Sequence, residues 1–301
     1  MLADVDPPLV SRERFVDEVG NACERRIGYA AGKLARAERE WLRWPILLER
    51  ERDARRRKAI ELAMAHRSLR GCGVFPADPE FYRSWVTRYT EDVAQLDSIG
   101  IMPSGLGETR ALLEFHGLDS SRMIAYKDQQ PDRSSPSVES RCYLPAFRDR
   151  NLLLICPFGE FLAARATRAT FEAAWAKTGK RWFAPRSVEG LEFPYGFDPA
   201  TQQRFGTALD LLEHLKVELL ERQFDVALIA AGGLGIPLAS FVKRQGRVGL
   251  SLGGHLQVLF GVLGARWRNK ESWRRRYFNE AWVDLPARYV PDREQTFENY
   301  W

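Results

Sequence analysis

The chain has 301 residues, 45% of them hydrophobic, with 45 Lys and Arg against 40 Asp and Glu for a formal charge of +5. This is ordinary globular composition, and a core of this size needs neither disulfides nor a structural metal. The small basic excess suits phosphate-bearing ligands or an anionic membrane surface and does not demand nucleic acid.

Four cysteines, Cys23, Cys72, Cys142 and Cys156, lie far apart without paired zinc-ligand spacing, which fits a reducing cytoplasm. Met1 to Pro8 carries no signal-peptide pattern. No run approaches the roughly 20 apolar residues of a spanning helix. A cytoplasmic protein, at most peripheral at the inner membrane face, is expected.

Residues 11–67 read as helical and heavily charged, broken at Pro45. Trp41, Leu42, Trp44, Ile46, Leu47 and Leu48 form an apolar patch, followed by the basic run Arg52, Arg55, Arg56, Arg57 and Lys58. Two readings stay open: an amphipathic segment resting on an anionic membrane or a partner helix, or a hairpin packed on the main domain with a solvated basic face. A helix is expected over 79–96, with Phe81, Trp85, Val86, Tyr89 and Val93 at core spacing. Ile99-Gly100-Ile101-Met102 predicts a buried strand, and a helix is expected from about Thr109. Residues 128–141, polar and proline-marked, predict a loop.

From 151 the pattern changes. Leu152 to Cys156 is a continuous apolar run, the signature of a strand buried on both faces. A helix over 160–177, a strand at Arg181-Trp182-Phe183 and a long helix over 203–222 follow. Asp225 to Ala231 is the clearest strand. Gly232-Gly233-Leu234-Gly235, a helix over 236–245, a strand over 247–252, Gly253-Gly254 and a helix from His255 complete the series. Repeated strand–turn–helix units predict a Rossmann-like α/β fold, a mostly parallel sheet flanked by helices, with an added N-terminal helical segment. The division expected is a basic segment over 1–70 and an α/β unit over 71–301, itself in halves 71–150 and 151–301.

Ligands in such sheets bind outside the carboxyl ends of the strands. Here those ends are Pro157 to Glu160, Gly232 to Gly235 and Gly253 to Gln257. Glycine lets backbone amides approach a ligand, and a following helix N-terminus favours an anion such as a diphosphate. Gly-Gly-Leu-Gly lacks the full dinucleotide spacing, and one such turn is often only geometric. Two on successive strands favour a nucleotide-type ligand. His255 opens its helix either as a catalytic group or as a polar cap. Glu108 opens another, as a mechanistic carboxylate or a residue suited to the helix dipole. His66, His116 and His214 fall within helices and read as structural. Arg266-Trp267, Tyr277 to Trp282 and Asn299-Tyr300-Trp301 either stack on a base or sugar or dock as a tail. No nucleophile elbow, Walker loop or His-Glu-x-x-His is present, against the common hydrolase, kinase and metalloprotease classes. A dinucleotide oxidoreductase lacks its full glycine fingerprint.

The stretches Phe224 to Ala239, Leu252 to Trp267, Phe278 to Trp282 and Tyr300-Trp301 are similar to bacterial glycosyltransferases of the GT-D fold and their relatives from polysaccharide and glycoprotein assembly. Cys156-Pro157-Phe158 with Arg168, and Gly73-Val74-Phe75-Pro76, add weaker likeness, so the resemblance covers roughly residues 66–301. It implies transfer of a sugar from a nucleotide-sugar donor, a UDP-sugar, to a glycan or glycoconjugate acceptor. It implies donor contacts at Gly105, Gly107, Gly232, Gly233, Gly235, Gly253, Gly254, Gln257, Arg266, Trp267 and Asn279. Glu108 and His255 are the implied catalytic groups. The family carries an Asp-x-Glu motif for a divalent metal, Mn or Mg, and the donor. The corresponding Gly105-Leu106-Gly107-Glu108 keeps the glutamate but has Leu106 for the first acid. Leucine cannot ligate a hard cation. Three alternatives follow: a metal held by Glu108 with Glu280, a metal-free reaction, or a catalytically impaired relative that keeps the ligand fold.

Overall fold

The computed structural model describes residues 8–102, 104–131 and 142–291. Asn299-Tyr300-Trp301 and most of the loop expected over 128–141 lie outside them, and at that loop's start Gln129 and Gln130 are buried.

In chain order the first half comprises α1 (Arg12–Arg25), β1 (Tyr29–Leu34), α2 (Arg36–Arg50), α3 (Ala54–Cys72), α4 (Pro79–Ala94), β2 (Ser98–Ile101), α5 (Leu106–Phe115) and β3 (Met123–Ala125). The second comprises β4 (Asn151–Ile155), α6 (Gly159–Arg165), α7 (Arg168–Ala174), β5 (Ser187–Leu191), α8 (Pro199–Phe205), α9 (Ala208–Leu220), β6 (Val226–Ile229), α10 (Gly235–Arg244) and β7 (Val248–Ser251). A C-terminal arm of α11 (His255–Leu259), β8 (Val262–Leu263), α12 (Ala265–Arg268), α13 (Glu271–Arg276) and β9 (Val283–Asp284) follows, its two short strands paired in parallel.

Seven strands form one all-parallel sheet in the order β3-β2-β1-β7-β6-β4-β5. Period-two alternation divides its side chains between two cores. Leu153 and Ile155 of β4 enter the core built with α2, α4, α9 and α10. Leu152 and Leu154 enter the core built with α1, α7, α11 and the arm. Both faces are covered, which is why β4 and β6 read as continuous apolar runs.

The expectation of helix over 11–67, broken only at Pro45, is corrected at Tyr29–Leu34. These residues are β1, paired with β2 on one side and β7 on the other. Arg26, at φ 55°, ends α1 in a left-handed turn and releases the chain into the sheet. The helical segment is therefore threaded through the middle of the sheet. The apolar patch packs inward: Trp41, Leu42, Trp44 and Leu48 are buried. Trp41 donates Nε1–H to Ser68 Oγ at 2.8 Å and meets Trp85 and Tyr89 edge-on at 5.7 and 4.6 Å. The basic run on α3 faces solvent. α2 also passes through Pro45 rather than stopping there, held by its buried face.

Other boundaries shift for local reasons. The helix expected over 160–177 divides at Thr167, which caps α7 by accepting from the Thr170 amide. That over 203–222 divides at Gly206, at φ 71°, where Thr207 and Asp210 form a capping box for α9. Trp182 and Phe183 are not strand: they pack on Phe171, and the edge strand is Ser187–Leu191. α5 begins at Leu106 rather than Thr109. No helix among the described residues is long and apolar enough to cross a membrane.

Candidate functional site

The connection after β4 runs outward to β5, whereas that after β6 runs inward to β7. Connections diverging from neighbouring strands leave a crevice at their carboxyl ends. A cavity of about 180 Å³ lies there, lined by Pro157 and Phe158 after β4, Ala230 to Gly232 after β6, and Gly253 and Gly254 after β7. Gly232 adopts φ 51° against the end of α3, where an added Cβ would meet the Cys72 carbonyl at 2.5 Å. No larger residue fits that turn without moving α3.

The cavity's charged groups come from elements far apart in sequence. Lys33, next to last in β1, reaches it from the centre of the sheet and sits 4.1 Å from the ring centre of Tyr126. Glu38 enters from the first turn of α2, and its Oε2 is sealed from solvent without a hydrogen-bond partner. Arg266 enters from α12, its guanidinium 5.7 Å from the Trp267 ring centre. Desolvation dominates the electrostatics of Lys33 and Glu38. It draws the Lys33 ammonium down to about 8, with Arg266 acting in the same sense and Glu38 opposing. It pushes the Glu38 carboxyl upward, against Lys33, Arg266 and the backbone amides of Glu38 and Ala35. The Cys72 thiol is also pushed well up by burial, so no thiolate is ready there at neutral pH. An acid and an amine with perturbed proton affinities, facing one cavity, single it out as the candidate site.

Aromatic side chains close the opposite wall: Phe158, Phe193, Tyr195 and Phe197. The rings of Tyr195 and Phe197 stack at 5.0 Å and 14°. Tyr195 donates its hydroxyl to the Tyr289 carbonyl at 2.9 Å, which fixes the ring in place.

The residues named from sequence divide into two groups. Gly232, Gly253, Gly254, Gln257 and Arg266 line the cavity together. Gly233 instead packs inward, where a Cβ would meet Val74 at 2.5 Å and Trp41 at 2.9 Å, and Gly235 lies against Ser251. Trp267 is buried beneath Gly254. His255, 4% exposed, stands behind the cavity, edge-on to Tyr126 at 5.5 Å and to Trp267 at 5.3 Å. It thus supports the ring on which Lys33 rests. Asn279 donates to the carbonyls of Ala173 and Ala174, closing the end of α7, and Glu280 is exposed outside the cavity. Gly105, Gly107 and Glu108 lie past the end of β2, outside the cavity lining. Half-exposed Glu108 pairs with Arg43 at 3.4 Å and Arg39 at 3.9 Å.

The divalent metal implied by the resemblance does not fit this set of side chains. A hard cation takes about six oxygen ligands, whereas the cavity offers one carboxylate, Glu38, facing Lys33 and Arg266. Glu108 is held by two arginines. Among the described residues no group of three His, Cys, Asp or Glu side chains is arranged to hold a metal.

Lys33, Glu38 and the Tyr195–Phe197 stack are absent from the sequence-derived set. Comparison with protein-family models, curated proteins and solved structures finds no match to the chain.

Proposed function

We propose that the chain is a glycosyltransferase that takes a nucleotide-sugar donor, a UDP-sugar, in the crevice and passes the sugar to a hydroxyl of a glycan or glycoconjugate acceptor. The observation that carries this reading is the convergence of Lys33, Glu38 and Arg266 beneath an aromatic wall at the switch point of a parallel sheet. Glycosyl transfer makes three demands. The departing diphosphate needs positive charge, which Lys33, Arg266 and the amide at Gly254 supply in a partly desolvated site. The acceptor hydroxyl must lose its proton. Glu38 suits that role: its carboxylate lines the crevice, and burial raises its proton affinity, which strengthens a carboxylate as a base. Its unpartnered Oε2 is an acceptor waiting for a hydroxyl donor. The donor's planar base needs an apolar face, and the Tyr195–Phe197 stack provides one.

The Asp-x-Glu motif of the resembled family follows a first strand. In this chain the first strand is β1, and the stretch after it is Ala35-Arg36-Ala37-Glu38. Glu38 therefore fits the retained acid better than Glu108, and Arg36 then stands where the first acid would be. The charged groups of the mechanism are accordingly Lys33, Arg266 and Glu38, with His255 as a positioning group behind Tyr126.

A thermal-shift panel of nucleotide sugars and bare nucleotides tests the binding half, since a ligand of the native state raises apparent stability. A UDP-sugar is expected to raise the melting temperature. The Glu38→Gln variant is expected to keep that shift while losing about a hundredfold or more in transfer. Donor-independent melting would end the reading. Donor binding with no turnover in the wild type would leave the non-catalytic relative instead.

A further inference from the structure

A second depression follows the crevice along the same edge of the sheet. This groove, of about 250 Å³, lies past the end of β5, and Phe193 lines both it and the crevice. Its walls carry Glu160 from α6, Glu192 after β5, Phe205 at the end of α8, and His214, Glu218 and Arg222 on and after α9. We propose that the groove is the acceptor subsite and holds a neutral, hydroxyl-rich saccharide ring. This rests on the nucleotide-sugar reading of the crevice.

The chemistry of the lining selects that class. Glu160, Glu192 and Glu218 face Arg204 and Arg222, so an anion meets more carboxylates than guanidinium groups. A cation meets two arginines in the same space. A saccharide hydroxyl both donates and accepts, and a wall of interspersed carboxylate and guanidinium groups satisfies it in both senses. Some of these groups are already committed. Glu192 Oε1 accepts from the Glu160 amide at 3.1 Å and the Tyr289 hydroxyl at 2.9 Å. Glu218 Oε2 accepts from Arg222 at 3.4 Å. Others are open: the Glu160 carboxylate accepts no hydrogen bond among the described residues, and Arg222 Nε is buried without a partner. Half-buried Phe205 adds apolar surface to the lining, its ring packed by Arg204 at 4.7 Å and by the His214 ring at 5.3 Å from its centre. Carboxylates and an aromatic side chain in one lining suit a sugar ring, which is apolar on its C–H face and polar at its edge. The crevice next door is cationic, so the anionic donor and the neutral acceptor are sorted by charge across Phe193.

The test uses the full chain and saturation-transfer NMR with methyl glycosides of neutral hexoses, their disaccharides and a uronic acid. Neutral saccharides are expected to bind, and the uronic acid more weakly. Glu160→Ala, at an exposed position, and Phe205→Leu, which keeps an apolar side chain, are each expected to weaken saccharide binding about tenfold or more. Donor thermal shifts are expected to be unchanged in both variants. The proposal is overturned if both variants bind saccharides as the wild type does, if the uronic acid binds better, or if neutral saccharides fail to bind. Saccharide binding is read directly, so loss of the donor shift alone counts against the reading of the crevice and not against the groove.

Discussion

Replacing Lys33 with Met is expected to make the protein more stable at neutral pH while abolishing ligand binding. Desolvation brings the ammonium from its ordinary 10.5 down to about 8. That corresponds to a cost on the charged form of about 3 kcal/mol at pH 7. Methionine keeps the apolar stem and removes the charge, but loses the contact with the Tyr126 ring, worth about 1 kcal/mol. A net gain of about 2 kcal/mol remains. The sign follows from proton linkage. Between about pH 8 and 10.5 the unfolded chain still holds the lysine proton and the folded chain has released it, so wild-type stability rises with pH across that window. The variant has no such rise, and its advantage closes. Urea denaturation of both proteins at pH 7, 8, 9 and 10, with equal m-values, reads the difference directly. A variant less stable than the wild type at pH 7, or a gap that stays constant to pH 10, would refute the argument. A functional site commonly keeps such a destabilising group because the ligand needs it.

Two further substitutions test the frame that holds the site. At Gly190 an added Cβ would fall on the backbone of Gly159 and Glu160, atoms that cannot rotate away. Gly190→Ala is therefore expected to cost about 3 kcal/mol or more in chemical denaturation, and to reduce donor binding by displacing Phe158 with α6. Trp41→Ala empties a site bounded by Trp85, Tyr89 and Ser68, and a loss of about 3–5 kcal/mol is expected. Arg56→Ala on the exposed face of α3 serves as the comparison and is expected to stay within about 0.5 kcal/mol.

The second half of the fold was legible because its strands are buried on both faces. Leu152 to Ile155 and Val226 to Ile229 contain nothing but apolar residues, and a run of that length bounded by proline or glycine has few other readings. The α4 stripe was legible for the complementary reason, since aromatic residues at helical spacing have one face to bury. The edge strand β5, Ser-Val-Glu-Gly-Leu, was not. It pairs on one side only and carries Glu189 outward, whereas Trp182 and Phe183 beside it look more strand-like and are held by ring packing instead. Breaks at Thr167 and Gly206 were hidden because the helices on either side continue the same apolar period.

The unread strand and the unread half of the site are one omission. β1 reads Tyr-Ala-Ala-Gly-Lys-Leu, and alanine and glycine have low intrinsic strand preference. They are used there because α10 lies close across the strand: a Cβ at Gly32 would meet the Ile236 side chain at 2.7 Å, and one at Gly28 would meet the backbone of Lys243. Close helix packing thus demands small residues at the sheet centre, and small residues erase the pattern by which a strand is recognised. Lys33 and Glu38 gain meaning only from this strand, one at its end and the other a turn into the helix that follows. Within a charged helix they are two more members of a solvated face. At the end of a central parallel strand, a lysine and a glutamate five residues apart converge on one crevice. The glycine turns after β6 and β7 pointed to the edge of the sheet where the cavity lies, but the charged groups sited there depend on a strand that packing, rather than propensity, created.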